Sequence, residues 1–282
     1  MKDFSFADET LDLNRSTSFI LSIQIYLNGF SFSILDTVRN KYSLLKHYDL
    51  SDQVNSENKG RKIEEILSKD AYLQNPFKKV NCLCANNKSM LIPSPLFEEQ
   101  YIKKYFDFNQ PMGELEELHY HYLKKTDSYN VFSTPNPFTN ALIGHFPEIQ
   151  FYHHSYSLIN YHINFVEEEK PYLGLNLYDD FMDILVIDNK NLLFFNSFDF
   201  QNHDDIMYYV LNVYYQLDLD PETIELKLTG TNFKHEQLIK ELKGYIKKVH
   251  HLKPAKEFTY SYLFKKDMLS YYFNLFNLNV CE

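Results

Sequence analysis

The chain has 282 residues, 44% of them hydrophobic and 23% charged. That composition excludes wholesale disorder, and at roughly 150 residues per domain it suggests about two domains. The net charge of −10 argues against a dedicated binder of nucleic acid or anionic membrane, because phosphate contacts need a basic surface.

Residues before Arg15 read as a ragged acidic leader. They lack the basic and apolar regions of a secretory signal. No window approaches the ~18–20 consecutive apolar residues of a membrane helix, so a cytoplasmic protein is expected. Phe19 to Leu27 then reads as a strand, Asn28-Gly29 as a tight hairpin, and Phe30 to Asp36 as its returning strand. Tyr42 to Tyr48 makes a third strand, and Ser56 to Asp70 a helix with Ile63, Ile66 and Leu67 on one face. Val80 to Ala85 and Ser89 to Ile92 read as strands, and Pro95 as the start of a helix to about Phe106. Glu114 to Leu123 alternates like a strand, Thr134 to Pro137 breaks the pattern, and Phe138 to Phe146 is a short helix. Ile149 to Tyr152 is a strand, and Ser155 to Glu167 a helix that ends in Glu167-Glu168-Glu169 before Pro171.

The early grammar then returns. Tyr172 to Tyr178, Phe181 to Asp188 and Leu192 to Phe198 are strands separated by turns at Asp179-Asp180 and Asn189-Lys190-Asn191. His203 to Gln216 is a helix, Thr223 to Leu228 a strand ended by Gly230, and Phe233 to Val249 a second helix. A strand from Phe258 to Phe264 precedes an aromatic helix from Asp267 to about Leu278. Each half thus reads as three antiparallel strands, helix, strand, helix, which implies an internal duplication. Aligned on the turns, Asn28-Gly29 lies opposite Asp179-Asp180, Phe30 opposite Phe181, and Ile34-Leu35 opposite Leu185-Val186. The expected divisions are 15–165 for the first half, 166–265 for the second, and 266–282 for an aromatic helix packing back on the first.

This order resembles the actin, hexokinase and sugar-kinase superfamily, whose halves are ribonuclease H-like α/β folds. The stretches Tyr172 to Tyr178, Phe181 to Asp188, Leu193 to Phe198, Asp204 to Val210 and Ile224 to Gly230 look closest to actin-like proteins of the PilM and FtsA type. The whole is similar to a bacterial family of unassigned function within that superfamily. The resemblance implies a duplicated actin-like ATPase fold from Phe19 to about Phe264. In active members an Asp and Gly residues in the first hairpin of each half hold metal and phosphates. Here the first hairpin has no Asp before Asn28-Gly29, and the second, Asn176-Leu177-Tyr178-Asp179-Asp180, has no Gly. The adenosine-side motif keeps one Gly, in Leu228-Thr229-Gly230-Thr231. The resemblance with these departures implies a pseudo-ATPase with no catalytic residues and no cofactor, acting as a cytoplasmic module that binds another protein or itself. The alternative is a degenerate binder of ATP with Mg between the halves, through Asn28, Gly29, Asn176, Asp179, Asp180, Thr229 and Gly230.

Other features carry less. Asp179 and Asp180 suit a metal or a solvated turn tip, the latter being what Asp favours. Asn176 cannot serve as a base at neutral pH. His119 and His121 share one strand face, and with His145, His153 and His154 they offer metal-ligand types without a supporting acidic pattern. No metal is expected. Cys82 and Cys84 read as small buried hydrophobes, and Cys281 has no base near it. Lysines between Lys234 and Lys256 read as a solvated face. Tyr262, Phe264, Tyr271, Tyr272, Phe273 and Phe276 serve either as core or as a surface for a partner.

Overall fold

The computed structural model describes residues 2–166, 170–230 and 235–280. The run Glu167-Glu168-Glu169, the start of the helix expected from Phe233, Thr231, Lys234 and Cys281 lie outside the described residues. The contacts divide the chain into two units, 1–156 with 256–264, and 157–255 with 265–282.

In the first unit β1 (Phe4–Ala7), β2 (Phe19–Tyr26), β3 (Gly29–Asp36) and β4 (Lys41–Asp49) lead to α1 (Ser56–Lys69). Then come β5 (Lys79–Ala85), β6 (Ser89–Pro93), α2 (Ile102–Asn109), β7 (Glu116–Leu123), β8 (Ser128–Pro135), α3 (Asn136–His145), β9 (Gln150–His153) and α4 (His154–Phe165), which crosses the boundary. The main sheet runs β1-β4-β3-β2-β5-β9, and β6-β8-β7 form a separate sheet. The apolar faces of β2, β3 and β5 (Ile23, Ile25, Phe30, Phe32, Cys82, Cys84) meet Ile63 and Leu67 of α1 and Leu142 of α3. Asn55 caps α1 by accepting from the Asn58 N–H at 2.9 Å. The end of α1 is clamped to β4, because Asp70 accepts from Lys46 Nζ and from the Tyr48 hydroxyl, both at 2.6 Å. Those contacts, against the cost of burying the ammonium, raise the Lys46 pKa.

In the second unit β10 (Tyr172–Leu177), β11 (Phe181–Asp188), β12 (Asn191–Asp199), α5 (His203–Gln216), β13 (Glu225–Thr229), α6 (Glu236–Leu242) and β14 (Val249–His251) follow. The sheet order is β12-β11-β10-β13-β14. It matches β4-β3-β2-β5-β9, with three antiparallel strands and then two parallel additions. Leu175, Leu177, Met182 and Ile184 pack on Ile206 and Val210 of α5 and Leu238 and Leu242 of α6. The chain then returns to the first unit, where β15 (Thr259–Tyr260) runs parallel to β4. It ends in α7 (Lys266–Tyr271) and α8 (Phe273–Asn277).

The duplication extends to detail. The core pair Ile25–Phe30 beside the first hairpin matches Leu177–Met182 beside the second. Each third strand carries a bulge at the matching place, between the partners of Ile34 and Leu35 and between those of Val186 and Ile187. This register corrects the alignment of Phe30 with Phe181. Both core pairs enclose four residues, so Asp179-Asp180 lies opposite Leu27-Asn28 and Met182 opposite Phe30, and an alignment on Asn28-Gly29 slips by one residue onto the other face.

Other boundaries differ from expectation. The acidic leader contains β1, pairing with β4 from Phe4↔His47 to Ala7↔Leu44; a four-residue strand made by long-range pairing leaves little periodic signal. Pro95 starts only a short 3-10 turn, and the helix begins at Ile102. β8 lies where only the breaker at its end is visible, because Asn130, Ser133 and Thr134 are buried polar residues. The helix expected to reach Val249 stops at Leu242, and Val249–His251 is a strand. The strand expected over Phe258 to Phe264 spans two residues. The C-terminal helix is broken at Tyr272, whose ψ of 24° is not helical.

The contact division falls at 156/157 rather than 165/166, and it groups residues 265–282 with the second unit. The Ser157 hydroxyl donates to the Asn274 carbonyl at 2.8 Å, and the Ala255 N–H donates to Asn277 Oδ1 at 2.8 Å. Tyr271, Tyr272, Phe273 and Phe276 are buried, whereas Tyr262 is 75% exposed.

Candidate functional site

In a strand buried on both faces, every polar side chain needs a partner, because an unmet buried group costs about 1–3 kcal/mol. Asn176, Asp183 and Thr229 sit at such positions, with the half-buried Ser197 of β12 beside them. Strand register places them in one row, Asn176 opposite Asp183 and Thr229, and Asp183 opposite Ser197. Asn176 Nδ2 donates to Asp183 Oδ2 at 2.8 Å, and the Ser197 hydroxyl donates to Asp183 Oδ1 at 2.6 Å. The Thr229 hydroxyl donates to Asn176 Oδ1 at 3.0 Å. Asn176 and Asp183 are fully buried and Thr229 nearly so.

The C-terminal helices meet this row. Asn274 Nδ2 donates to Asn176 Oδ1 at 3.2 Å and to the Tyr178 hydroxyl at 3.1 Å. The Tyr271 hydroxyl donates to Asp179 Oδ2 at 3.1 Å, and the Gly230 N–H donates to the Ser270 carbonyl at 3.0 Å. Gly230 has φ of +72°, and a Cβ there would lie 2.0 Å from the Leu177 carbonyl oxygen, so only glycine fits. The Tyr178 ring stacks on Phe181 at 4.6 Å and fills the turn. Asp179 and Asp180 are exposed at the tip.

Asp179 also borders an open cavity of about 690 Å³, facing Asp204 and His203 at the start of α5. Two amides of that helix's first turn, and two just before it, are already bonded within the chain. Asn202 accepts from the Asp204 and Asp205 N–H groups, and Asp205 accepts from those of Gln201 and Asn202. Two carboxylates beside amides that are bonded within the chain suit a bare polyphosphate poorly. A Mg²⁺ held by the two carboxylates would be needed to bring a triphosphate here.

The first unit carries the equivalent row in other residues. His47 lies opposite Ser31, Ser31 opposite Gln24, and Gln24 opposite Leu83. Ser31 Oγ and His47 Nδ1 share a hydrogen bond of 2.9 Å. At the hairpin, Gly29 lies under the Tyr26 ring; a Cβ would meet that ring at 2.3 Å. Lys59 Nζ donates to the Leu27 carbonyl at 2.5 Å and lies 3.5 Å from Asn28 Oδ1.

Of the predicted residues, Asn176 and Thr229 are thus bonded to each other, with Gly230 and Asp179 held by the C-terminal helices. Asn28 and Gly29 belong to the first unit. Asp183, Ser197, Asn274, Tyr271, Gln24 and Lys59 are additions to the expected set. The signal for Asp183 was a lone polar residue between apolar neighbours, in Met182-Asp183-Ile184, whereas Ser197 follows Asn196 and has no such signal; the C-terminal contacts are nonlocal and leave no signal. The histidines do not assemble. His119 bonds Glu117 at 2.9 Å, His145 the Leu73 carbonyl at 3.2 Å, and His153 the Asn86 carbonyl at 2.9 Å. Among the described residues no three His, Cys, Asp or Glu side chains are grouped to hold a metal. Lys247 and Lys248 face Glu222 and Glu225 at 3.3 and 2.8 Å, as a solvated face would. Among the described residues no helix is long and apolar enough to cross a membrane.

Two units of this topology, with a tight hairpin at matching positions, define an actin-like ATPase fold. A Bacteroides thetaiotaomicron protein described as having an actin-like ATPase fold and unknown function is 28% identical, with a TM-score of 0.77 over 86% of this chain and 94% of that one. PilM in the PilM–PilN type IV pilus biogenesis complex shares the fold at 10% identity, with a TM-score of 0.59 over 93% and 98%. The chain belongs to the family described as "Protein of unknown function (DUF3822)", whose model matches residues 8–249. No curated protein matches it.

Proposed function

We propose that this protein is a non-catalytic, actin-like scaffold that works in the cytoplasm by binding another protein or itself. The observation that supports this is the occupation of the second hairpin by the chain's own C-terminal helices. Asn274, Tyr271 and Ser270 engage Asn176, Asp179 and the Gly230 N–H. Those are the groups through which a nucleotide would be held. PilM, of the same fold, is found in complex with PilN. Titration calorimetry with ATP and ADP in Mg²⁺ tests the reading: no heat is expected up to millimolar nucleotide, and micromolar binding overturns it.

The competing reading is a degenerate ATP–Mg²⁺ binder using Asn28, Gly29, Asn176, Asp179, Asp180, Thr229 and Gly230. It draws on Lys59, whose ammonium stands at the first hairpin beside Asn28. If micromolar binding is seen, Lys59→Met should weaken it.

A further inference from the structure

Edge strands expose a row of backbone donors and acceptors, and proteins protect them by shortness, charge, proline or a covering segment. The duplication supplies an internal reference for one such edge. In the first unit the third strand, β4, is covered on its outer side. β1 pairs antiparallel with Leu44 to His47, just past the bulge, and β15 pairs with Lys41 and Tyr42. In the second unit the matching strand is β12, which ends its sheet. Phe194 to Ser197 of β12 corresponds to Leu44 to His47 of β4, because Phe194 pairs with Val186 as Leu44 pairs with Ile34. Among the described residues no strand covers it.

β12 is also the least guarded of the terminal strands of the two larger sheets. β1, β9 and β14 have four, four and three residues, while β12 has nine. From Asn191 to Phe198 it contains neither charge nor proline. Its flank is aromatic: Phe198 stacks on Tyr209 of α5 at 4.4 Å, and Tyr209 touches Tyr208 edge-on at 5.3 Å. Tyr208 is 64% exposed and Leu193, at the bulge, 58% exposed.

We infer that β12 pairs antiparallel with β12 of a second copy of this chain, joining two five-stranded sheets across a two-fold axis. A two-fold interface must be self-complementary, and the charges at the strand's ends meet that demand. Lys190 precedes the apolar run and Asp199 closes it. An antiparallel copy sets Lys190 beside Asp199 of the second copy, twice, with the phenylalanines at the centre. A parallel copy would set like charge beside like. This deepens the scaffold reading and rests on it for its use, by naming self-association as the binding and β12 as the surface.

Sedimentation equilibrium of the full chain tests it. A monomer–dimer equilibrium in the micromolar range is expected. Lys190→Glu and Asp199→Lys should each raise the dissociation constant about tenfold, since each replaces two attractive cross-strand pairs with repulsive ones. The double exchange Lys190→Glu with Asp199→Lys should restore the wild-type value. Circular dichroism melting shows that each variant folds. A chain monomeric throughout that range overturns the inference, as does a dimer that ignores both single variants. Either failure leaves the calorimetric test of the scaffold reading standing, and nucleotide binding would sink that reading without altering the sedimentation result.

Discussion

Asn176→Leu isolates the polar row, because leucine keeps the branched heavy-atom shape and removes every hydrogen bond. Asn176 takes part in three: it donates to the Asp183 carboxylate at 2.8 Å and accepts from Thr229 at 3.0 Å and Asn274 at 3.2 Å. The bond to a carboxylate is worth about 2 kcal/mol and the two neutral ones about 1 each, and their partners stay buried. The expected loss is therefore about 4 kcal/mol, or more than roughly 15 °C in melting temperature for a unit of about a hundred residues. Thr229→Val removes one bond of the three and should cost only about 1 kcal/mol. Urea unfolding followed by tyrosine fluorescence measures both, and the double variant gives the coupling, expected near 1 kcal/mol. A loss below about 1 kcal/mol for Asn176→Leu would refute the reasoning, since the row would then be filling space rather than holding four strands and the C-terminal helices together.

Three further outcomes concern single residues. Burial, helped by the nearby Lys227 charge, lowers the His162 pKa to about 3, and burial with the His154 charge pushes His153 well below its usual value. The unfolded chain binds these protons first, so stability should fall as pH drops below about 6.5, by up to about 1.4 kcal/mol per pH unit for each group. Urea midpoints between pH 7.5 and 5 report this, and His162→Gln should flatten the slope; an unchanged slope refutes the assignment. Gly230→Ala, with its Cβ 2.0 Å from a backbone oxygen and φ of +72°, should destabilise by about 3 kcal/mol or more. Gly144→Ala, in helix α3 with nothing within 4 Å, should stabilise by about 0.5–1 kcal/mol, read by thermal melting.

The hairpins at Asn28-Gly29 and Asn189-Lys190 and the helix at His203–Gln216 were legible because turn chemistry and periodicity are local. Asn202 and Asp205 form a reciprocal cap there, satisfying the first amides from within four residues. What stayed hidden depends on distant partners. Four residues of β1 mean little until they meet β4, and β8 holds four buried polar residues, Ser128, Asn130, Ser133 and Thr134, where only the breaker at its end is visible. The same divide runs through the candidate site. Asn176, Thr229 and Gly230 stood out from the superfamily's grammar. Asn274 lies 98 residues from Asn176, and nothing in the composition of an aromatic helix announces an amide that closes another segment's network.

The path of the chain has a consequence for its synthesis. Thr259 and Tyr260 complete the first unit's sheet, and Ser270, Tyr271 and Asn274 complete the second unit's hairpin. Although the gene encodes one half after the other, neither can settle fully on the ribosome until residue 260, and then 274, has emerged. Translation therefore delivers both halves unfinished and lets them mature almost together.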